Sequence, residues 1–145
     1  MIQRVAFAEV TVANERVGRI ERGLLAFVGV APDDDEGRAH ALADKVAALR
    51  VFPDERGRMH HPVGAVGGGV LVVSQFTLFG DVTRGNRPSF TGAAEPATAE
   101  PLVAAVAARL RDAHGLHVAE GRFGAAMAVT SLNDGPVTLV LEIGA

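Results

Sequence analysis

The sequence contains no cysteine and only one lysine, Lys45, among its 145 residues. Without cysteine the chain forms no disulfide, builds no thiolate metal site and has no cysteine nucleophile. No hydrophobic run reaches the roughly 20 residues of a membrane-spanning helix, because arginine, aspartate or glycine interrupts each one. The segment Met1-Ile2-Gln3-Arg4-Val5 lacks the charged-then-apolar pattern of a secretory signal. These absences predict a soluble, cytoplasmic protein that does not engage a membrane.

Positive charge is not in excess. The 14 Lys+Arg residues are outnumbered by 17 Asp+Glu residues, which gives a formal net charge of −3 at pH 7. Overall charge therefore does not draw the chain to nucleic acid, and an RNA partner would have to be held by a local basic patch or by its shape. The length and a hydrophobic fraction of 48% predict a single domain over residues 1–145 with a substantial core.

Hydrophobic periodicity predicts strands and two helices. Apolar alternation or unbroken β-branched runs indicate strands at residues 5–12, 17–20, 23–30, 70–77, 116–123, 126–132 and 137–143. Apolar residues at helical spacing indicate one helix that begins within residues 32–36 and ends near Arg50. They indicate another over residues 98–114, with Pro101 in its first turn. Because strands and helices alternate unevenly, we expect an α/β or α+β domain with a largely β core and two main helices.

Three features resemble ligand sites but have structural explanations. The acidic cluster at residues 33–36 lies where a helix begins, and the helix dipole favours negative charge there. His60 and His61 point to opposite faces of an extended chain, and no third ligand has a helpful spacing. The glycine-rich residues 64–69 lack the Gly-Lys-Ser/Thr ending of a phosphate-binding loop and lead into a strand. We therefore expect no metal site and no cofactor.

The segment over residues 70–80 changes from apolar to polar within one predicted strand. Its first four residues are aliphatic, which is typical of a strand buried on both faces. Ser74, Gln75 and Thr77 then bring hydrogen-bonding groups to the strand end, and such groups need partners when they are buried. On the two-residue period of a strand, Ser74 and Phe76 share one face. Gln75 and Thr77 share the other. Either a core strand that runs out to the surface or a pocket at the strand end explains this pattern.

A long irregular loop follows at residues 79–90 and carries Arg84, Arg87 and Phe90. Loops of this length in a compact domain are often functional. Its two arginines either contact RNA phosphates or are ordinary exposed charges, and the local sequence favours neither interpretation.

The segment at residues 133–138, Asn-Asp-Gly-Pro-Val-Thr, lies between two predicted strands. Asp-Gly is a strong hairpin signal, but Pro136 withdraws a backbone donor where the returning strand begins. A Gly-Pro bond also admits the cis isomer, which is seen in about 5–6% of X-Pro bonds in folded proteins. In that isomer two carbonyl oxygens would lie side by side, as a rigid acceptor pair for an ammonium group. A hairpin turn and an acceptor pair both remain open at this point.

The two polar segments together resemble the motif pair of the D-aminoacyl-tRNA deacylases, the D-tyrosyl-tRNA deacylase family. The motifs read Ser74-Gln75-Phe76-Thr77-Leu78 and Asn133-Asp134-Gly135-Pro136-Val137-Thr138. Further similar runs extend over nearly the whole chain, in order and at matching length: Gln3-Arg4-Val5, residues 23–30, Leu42-Ala43-Asp44-Lys45, Arg87-Pro88-Ser89-Phe90 and residues 121–125. The resemblance implies a barrel-like mixed sheet. It also implies a hydrolase that cleaves the ester between a D-amino acid, or mischarged glycine, and the 3′-terminal ribose of tRNA.

The resemblance further implies a homodimer with active sites at the subunit interface. Gly135 and Pro136 of one subunit would enter the other subunit's pocket in cis geometry and hold the substrate α-ammonium with their carbonyls. No room would remain for an L side chain, whereas glycine would pass. The implied partners are D-aminoacyl-tRNA and glycyl-tRNA, without a cofactor.

The family offers Thr77 as a candidate nucleophile, with Ser74 and Gln75 lining the same site. No histidine or lysine is placed by sequence to activate the Thr77 hydroxyl, and an unactivated hydroxyl is a poor nucleophile. The alternative that the family implies uses the ribose 2′-hydroxyl to activate water, while backbone N–H groups near Phe76 and Thr77 stabilise the oxyanion. We expect this second mechanism, because aminoacyl esters are already activated and positioning supplies much of the acceleration.

The resemblance also assigns contacts to the tRNA end. Phe123 and Met127 lie in the segment that contacts the terminal adenosine in the family, although core packing explains both residues equally well. Arg84 and Arg87 are the candidate contacts to tRNA phosphates. The sequence departs from the family's pattern at Ala126, where an acidic residue is usual, so the details of this pocket wall differ.

Two other function classes fit the sequence. A non-catalytic binding module for an amine ligand or an RNA end agrees with the absence of Ser-His-Asp, metal and carboxylate-pair patterns. A hydrolase of small esters unrelated to tRNA is the other. Turnover of D-aminoacyl-tRNA above the spontaneous rate excludes the first class, and turnover that weakens with salt argues against the second.

Overall fold

The secondary structure is mostly β-strand, and a computed structural model describes it for residues 1–144. The strands are β1 (Ile2–Val12), β2 (Glu15–Ile20), β3 (Gly23–Val28), β4 (Phe52–Pro53), β5 (Met59–His61), β6 (Gly69–Ser74), β7 (His117–Glu120) and β8 (Ala128–Leu139). The helices are α1 (Glu36–Ala48) and α2 (Pro96–Asp112), and short 3₁₀ turns cover Val63–Val66 and Phe76–Phe79. Among these residues no helix is both long and apolar enough to span a bilayer.

The main sheet is built on β1. One edge of β1 pairs antiparallel with β3 and then β2, while β8 pairs antiparallel along the other edge. β3, β6 and β7 run parallel and continue the sheet. The sheet curls until β7 lies against β2, where a Cβ atom on Gly18 would be 2.4 Å from the Glu120 carbonyl oxygen. Glycine permits this approach, and the result confirms the expected barrel-like mixed sheet with two helices.

Buried side chains pack against both faces of this sheet. β6 contributes to each face, because Val70 and Val72 pack with the helices whereas Leu71 and Val73 pack inside the curled sheet. All four are at most 2% exposed. The prediction of a strand buried on both faces is therefore confirmed.

Both helices lie close to their predicted positions. The N-cap of α1 is Asp35, whose Oδ1 accepts the Arg38 backbone N–H at 2.9 Å. This contact agrees with the structural explanation of the acidic cluster. α2 begins at Pro96, so Pro101 lies inside the helix and not in its first turn as predicted. The reason is that Pro96 takes the first helical position, where the missing N–H has no intrahelical partner to lose.

An ion-pair network joins the two helices. Arg109 of α2 donates to both carboxylate oxygens of Asp44 in α1, at 3.0 and 3.2 Å, and His114 Nε2 lies 2.7 Å from Asp44 Oδ1. The hydrogen bonds from Arg109 and then His114 lower the pKa of Asp44 from 3.8 to about 2. The ionised carboxylate is thus the form that the folded state prefers.

This lowered pKa predicts a pH-dependent stability contribution. A carboxylate with a depressed pKa stabilises the folded state above its unfolded pKa, and that stabilisation is lost as the pH falls through the folded pKa of about 2. Asp44→Asn should therefore lower the unfolding temperature at pH 5 and above, with the difference from wild type shrinking as the pH falls toward 2. Thermal unfolding at a series of pH values measures it.

The matched control for this prediction is Asp112→Asn. Asp112 is an exposed carboxylate at the end of α2, and its replacement should change stability little at any pH. A stability difference for Asp44→Asn that stays constant from pH 2 to pH 6 contradicts the role given to its charge.

The C-terminal strand differs from the prediction. β8 runs without interruption over Ala128–Leu139 and stays paired with β1, so the hairpin interpretation of residues 133–138 is wrong. The strands predicted at residues 126–132 and 137–143 contribute residues 128–132 and 137–139 to this one strand, and their outer ends are not strand. β1 has 11 residues and pairs with both halves, while the Asp-Gly-Pro residues form a bulge instead of a chain reversal. β7 is shorter than predicted, at His117–Glu120.

Candidate active site

The carboxyl ends of the parallel strands β3, β6 and β7 meet at one edge of the sheet. Less regular segments follow these strands: Gly29 after β3, Gln75 after β6 and residues 121–127 after β7. In open α/β sheets, ligands bind outside the carboxyl ends of the strands, where the chain leaves the core. The first sequence motif lies at this edge.

The strand conformation ends at Ser74. The next element is the 3₁₀ turn Phe76–Phe79, so the two-residue alternation predicted to place Phe76 with Ser74 does not extend beyond the strand. Gln75 and Thr77 are nevertheless together, because Gln75 Nε2 donates to Thr77 Oγ1. Within the described part of the chain, Gln75 is the one side chain that hydrogen-bonds the Thr77 hydroxyl, and an amide is not a base.

The 3₁₀ turn leaves two adjacent backbone donors free. The Gln75 N–H donates to the Val28 carbonyl at 2.8 Å, and the Leu78 N–H donates to the Gln75 carbonyl at 3.3 Å. The N–H groups of Phe76 and Thr77, between them, have no acceptor among residues 1–144. Two neighbouring free N–H groups at a strand end have the chemistry of an oxyanion-binding site.

The loop at residues 80–90 is tied to this turn. A backbone bridge closes its base, and the Phe90 ring lies edge-on to the Phe76 ring with centroids 5.0 Å apart. Arg84 and Arg87 near its tip are exposed. The base of the loop thus contacts the motif through Phe90, while the two arginines lie exposed farther along the loop.

Phe123 and Met127 lie in the segment after β7. This segment is next to β6, because the Gly121 N–H donates to the Val72 carbonyl at 3.0 Å. Both side chains are partly buried, Phe123 on the helix side of the sheet and Met127 inside the curl. Ala126, the position that departs from the family's pattern, is exposed. Phe123 and Met127 thus both contribute to the core while part of each remains exposed.

The second motif forms a large bulge on β8. The β1 residues on either side of Arg4 pair with Asn133 and Thr138, so residues 134–137 lie opposite Arg4 alone. A common β-bulge sets two residues against one, whereas here four residues of β8 face one. The Gly135–Pro136 peptide bond is cis, Gly135 has φ +140°, and both residues are exposed. Backbone groups of the bulge cannot join the ladder and need other partners.

Arg4 holds this bulge, a role that the sequence pattern did not predict for it. Its Nε donates to the Asp134 carbonyl at 2.9 Å and its Nη1 donates to the Val51 carbonyl at 2.7 Å. One guanidinium thus ties the bulge to the segment before β4. The sequence does contain a signal for this role. Arg4 lies in a strand beside Val5, which packs into the core, and a charged group near the core needs hydrogen-bonding partners.

The two motifs lie apart within one chain. β1 and β3 separate β8 from β6, which places the bulge roughly 14 Å from β6 across the sheet. The bulge is level with Leu24 of β3, whereas Ser74 is level with Val28, which adds roughly 13 Å along the strands. The structure therefore does not bring Gly135 and Pro136 to the Ser74 end of the same chain.

The adjacent histidines belong to the β4–β5 hairpin. The rings of His60 and His61 pack edge-on with centroids 4.8 Å apart, and Arg50 Nε donates to the His60 carbonyl at 2.7 Å. Residues 1–144 contain no group of three or more His, Cys, Asp or Glu side chains placed to hold a metal ion. The candidate site is thus the strand edge and the bulge.

Comparison with known proteins adds independent observations. Residues 1–142 match the family model described as D-Tyr-tRNA(Tyr) deacylase. A D-aminoacyl-tRNA deacylase of Symbiobacterium thermophilum is 53% identical over 142 residues, which cover 98% of this chain and 93% of that protein. Proteins of the same name from Sorangium cellulosum and Deinococcus radiodurans are 55% and 52% identical. The matches cover 98% and 99% of this chain, and 95% and 98% of those proteins.

Two solved structures share the architecture. One, described as c-Myc DNA Unwinding Element Binding Protein, superimposes with a TM-score of 0.91 at 37% sequence identity, covering 99% of this chain and 97% of that one. The other, a probable eukaryotic D-amino acid tRNA deacylase, gives a TM-score of 0.81 at 15% identity over 93% of each chain. At that lower identity the likeness shows the fold alone.

Proposed function

The chain belongs to the D-Tyr-tRNA(Tyr) deacylase family and is a hydrolase of the D-aminoacyl-tRNA deacylase class, and on this premise we propose how it selects and cleaves its substrate. It hydrolyses the ester of D-aminoacyl-tRNA, and of mischarged glycyl-tRNA, to free amino acid and tRNA. It rejects L-aminoacyl-tRNA through Gly135 and Pro136, which a second subunit contributes to the site. In this role the enzyme proofreads the chirality of tRNA charging.

The observation that carries this proposal is the separation of the two motifs within one chain. The bulge is exposed on β8, and two strands, β1 and β3, lie between β8 and β6. The Ser74–Thr77 segment lies open at the strand edge, with Thr77 exposed. We call Gly135 and Pro136, at the tip of the bulge, the corner. A second copy of the chain supplies its corner to the Ser74–Thr77 segment of the first, because the corner of the first chain lies too far from that segment.

Exposed apolar side chains support such a dimer. Phe76, Leu78 and Leu132 expose 56%, 41% and 50% of their surface. Phe76 and Leu78 lie in the same 3₁₀ turn, and neighbouring exposed apolar side chains are typical of interaction surfaces. β8 also has one unpaired edge among the described residues, and an open edge strand is a template for association. These features lie on the two motif-bearing segments, as a shared interface requires.

The proposed chiral selection uses backbone groups. The carbonyl oxygens of Gly135 and Pro136 accept hydrogen bonds from the substrate α-ammonium, which fixes the other substituents of the α-carbon. In this orientation the side chain of an L-amino acid is directed into the corner itself, whereas that of a D-amino acid points away. Glycine has no side chain to exclude, and therefore it is also hydrolysed.

The proposed hydrolysis uses water and the tRNA itself. The ribose 2′-hydroxyl orients a water molecule and relays one of its protons toward the 3′-oxygen. The water oxygen bonds to the ester carbonyl carbon to give a tetrahedral oxyanion, whose collapse breaks the bond to the 3′-oxygen as that oxygen takes up the proton. The free N–H groups of Phe76 and Thr77 stabilise the oxyanion that forms on the carbonyl oxygen. Ser74 and Gln75 line the site, and the Gln75 amide orients the Thr77 hydroxyl.

Removal of one backbone donor tests this mechanism. Phe76→Pro deletes the Phe76 N–H at the first position of the 3₁₀ turn, where proline breaks no internal hydrogen bond. Gln75 has φ −143° and ψ 78°, outside the helical region that a following proline disfavours. We expect kcat for D-Tyr-tRNA to fall roughly 10²–10³-fold, measured by single-turnover deacylation.

Two variants control for other effects of this change. Phe76→Ala keeps the N–H and loses the ring contact with Phe90, so it should lose far less activity than Phe76→Pro. Thr77→Ala keeps its N–H as well and should retain activity within about tenfold of wild type. Loss of all turnover in Thr77→Ala, with Phe76→Pro still active, would instead identify Thr77 as the nucleophile.

We propose that the tRNA end is held by Arg84 and Arg87 on phosphates and by Phe123 and Met127 on the terminal adenosine. Replacing both arginines with alanine should reduce the salt dependence of kcat/KM. Each lost phosphate contact lowers the slope against log salt by about 0.7 for a single-stranded end. The slope of log kcat/KM against log salt concentration is measured from about 50 to 300 mM salt, a range wide enough to resolve it. Arg56→Ala, an exposed arginine in the β4–β5 turn, is the matched control.

The decisive test of the function compares three substrates with the wild-type protein. D-Tyr-tRNA and Gly-tRNA should be hydrolysed well above the spontaneous rate, and L-Tyr-tRNA should not. Binding of D-Tyr-tRNA without turnover would favour a non-catalytic module. If a free D-tyrosine ester competes efficiently with D-Tyr-tRNA, and if turnover of D-Tyr-tRNA does not change with salt concentration, a hydrolase of small esters is favoured.

A further inference from the structure

The bulge at residues 134–137 has lost its ladder partners, and a side chain replaces them. The Asn133 carboxamide accepts the Val137 N–H through Oδ1 at 2.8 Å and donates from Nδ2 to Thr138 Oγ1 at 2.9 Å. The side chain of the residue before the bulge thus binds the last residue of the bulge and the residue after it. These two hydrogen bonds close the bulge into a ring with Gly135 and Pro136 at its apex.

The ring is also attached to β1 on both sides of its base. Gln3 Nε2 donates to Thr138 Oγ1 at 3.4 Å, while Arg4 Nε donates to the Asp134 carbonyl at 2.9 Å. The Asn133 side chain is half-buried, whereas the apex is exposed. The direction of the apex therefore depends on hydrogen bonds at its base and not on packing around its tip.

We propose that Asn133 is a positioning residue for chiral selection: its carboxamide sets the direction of the Gly135 and Pro136 carbonyls without contacting the substrate. The inference rests on the proposed function, because the carbonyls matter only if they receive the substrate. An amide fits the ring since it offers an acceptor and a donor at the required separation. Aspartate keeps the acceptor for the Val137 N–H and accepts the Thr138 hydroxyl proton with its second oxygen, whereas alanine makes neither bond.

The test compares Asn133→Ala with the conservative variant Asn133→Asp. The readout is the ratio of the kcat/KM values for D-Tyr-tRNA and L-Tyr-tRNA. We expect the ratio to fall about tenfold or more in Asn133→Ala, because two hydrogen bonds that fix the corner are lost. Asn133→Asp should restore most of it. A merely structural role would reduce the amount of active enzyme, which lowers both rates together and leaves the ratio unchanged.

Each outcome decides between these alternatives. An unchanged ratio in folded Asn133→Ala overturns the proposal. Should that variant not fold, Thr138→Val, which removes the hydroxyl and keeps the side-chain shape, replaces it, with Thr138→Ser as the rescue. Hydrogen exchange of the Val137 amide reports on the ring without any substrate and should accelerate in Asn133→Ala. Wild-type protein that hydrolyses no D-Tyr-tRNA contradicts the proposed function, whereas wild-type turnover with an insensitive ratio contradicts only the role of Asn133.

Discussion

Gly135→Ala is expected to reduce hydrolysis of D-Tyr-tRNA by at least about a hundredfold, because a displacement of about 1 Å in groups that position a substrate costs that much. Gly135 has φ +140°, and holding another residue in such a conformation costs about 1–3 kcal/mol. An alanine Cβ atom would also lie 2.8 Å from Val137 Cγ2 and 3.1 Å from Arg4 Nη2. Val137 lies in the bulge, its backbone nitrogen is also only 3.1 Å from the added Cβ atom, and Arg4 is hydrogen-bonded to the bulge. We therefore expect the bulge to shift.

This loss of activity should leave the fold intact. The bulge is exposed, and the pairs that flank it, Gln3 with Thr138 and Val5 with Asn133, do not depend on the residue at position 135. The unfolding temperature should fall by only a few degrees, at about 2–4 °C per kcal/mol for a chain of this size. Calorimetry and deacylation kinetics on the same preparation measure both effects.

The matched control is Gly57→Ala in the β4–β5 turn. Gly57 has φ +77°, and a Cβ atom added there would meet no heavy atom within 4 Å, so this change carries the backbone cost without the collision. It should keep wild-type activity at a similar loss of stability. If the Gly135→Ala variant is as active as Gly57→Ala, the corner does not position the substrate.

The parts of the fold that the sequence predicts are those decided by local hydrophobic pattern. β6 is recognisable because four consecutive aliphatic residues precede Ser74, and each of them is buried. α1 is recognisable because acidic residues precede an apolar stripe, and Asp35 caps the helix as that pattern indicates. In both elements the pattern that predicts the structure spans only one or two helical turns or a few strand residues. A single sequence is therefore enough to predict each element.

The shape of each motif depends on distant residues and is therefore not predictable in the same way. Residues 133–138 carry the same hairpin signal whether the chain reverses or bulges, and the long partner β1 decides for the bulge. Arg4 reaches its carbonyl partner in the bulge across 130 positions of sequence. The 3₁₀ turn after Ser74 likewise breaks a two-residue period that continues in the sequence. The resemblance predicts which residues form the site, and the structure shows how the bulge is held.

A mixture of two inactive variants is expected to regain activity. Phe76→Pro disables the strand-edge half of a site, and Gly135→Ala disables the corner half. In a heterodimer of the two, one site combines both defects, while the other combines an intact edge with an intact corner from the other subunit. Heterodimer purified through two different affinity tags should therefore show about half of the wild-type deacylation rate, as a two-fold symmetric assembly with interface sites requires.

A second heterodimer, with both substitutions in the same chain, tests whether the recovered activity comes from sites that span the two subunits. A double variant, Phe76→Pro with Gly135→Ala in one chain, paired with a wild-type chain should be nearly inactive, because each site then receives one defect. If each site were built within one chain, the outcomes would be reversed: the wild-type chain would keep about half of the activity, and the two single variants would not complement each other. Failure to recover any heterodimer would contradict the dimer itself. The separation of the bulge from the Ser74 end of the same chain is the physical reason to expect complementation, because neither half can complete a site alone.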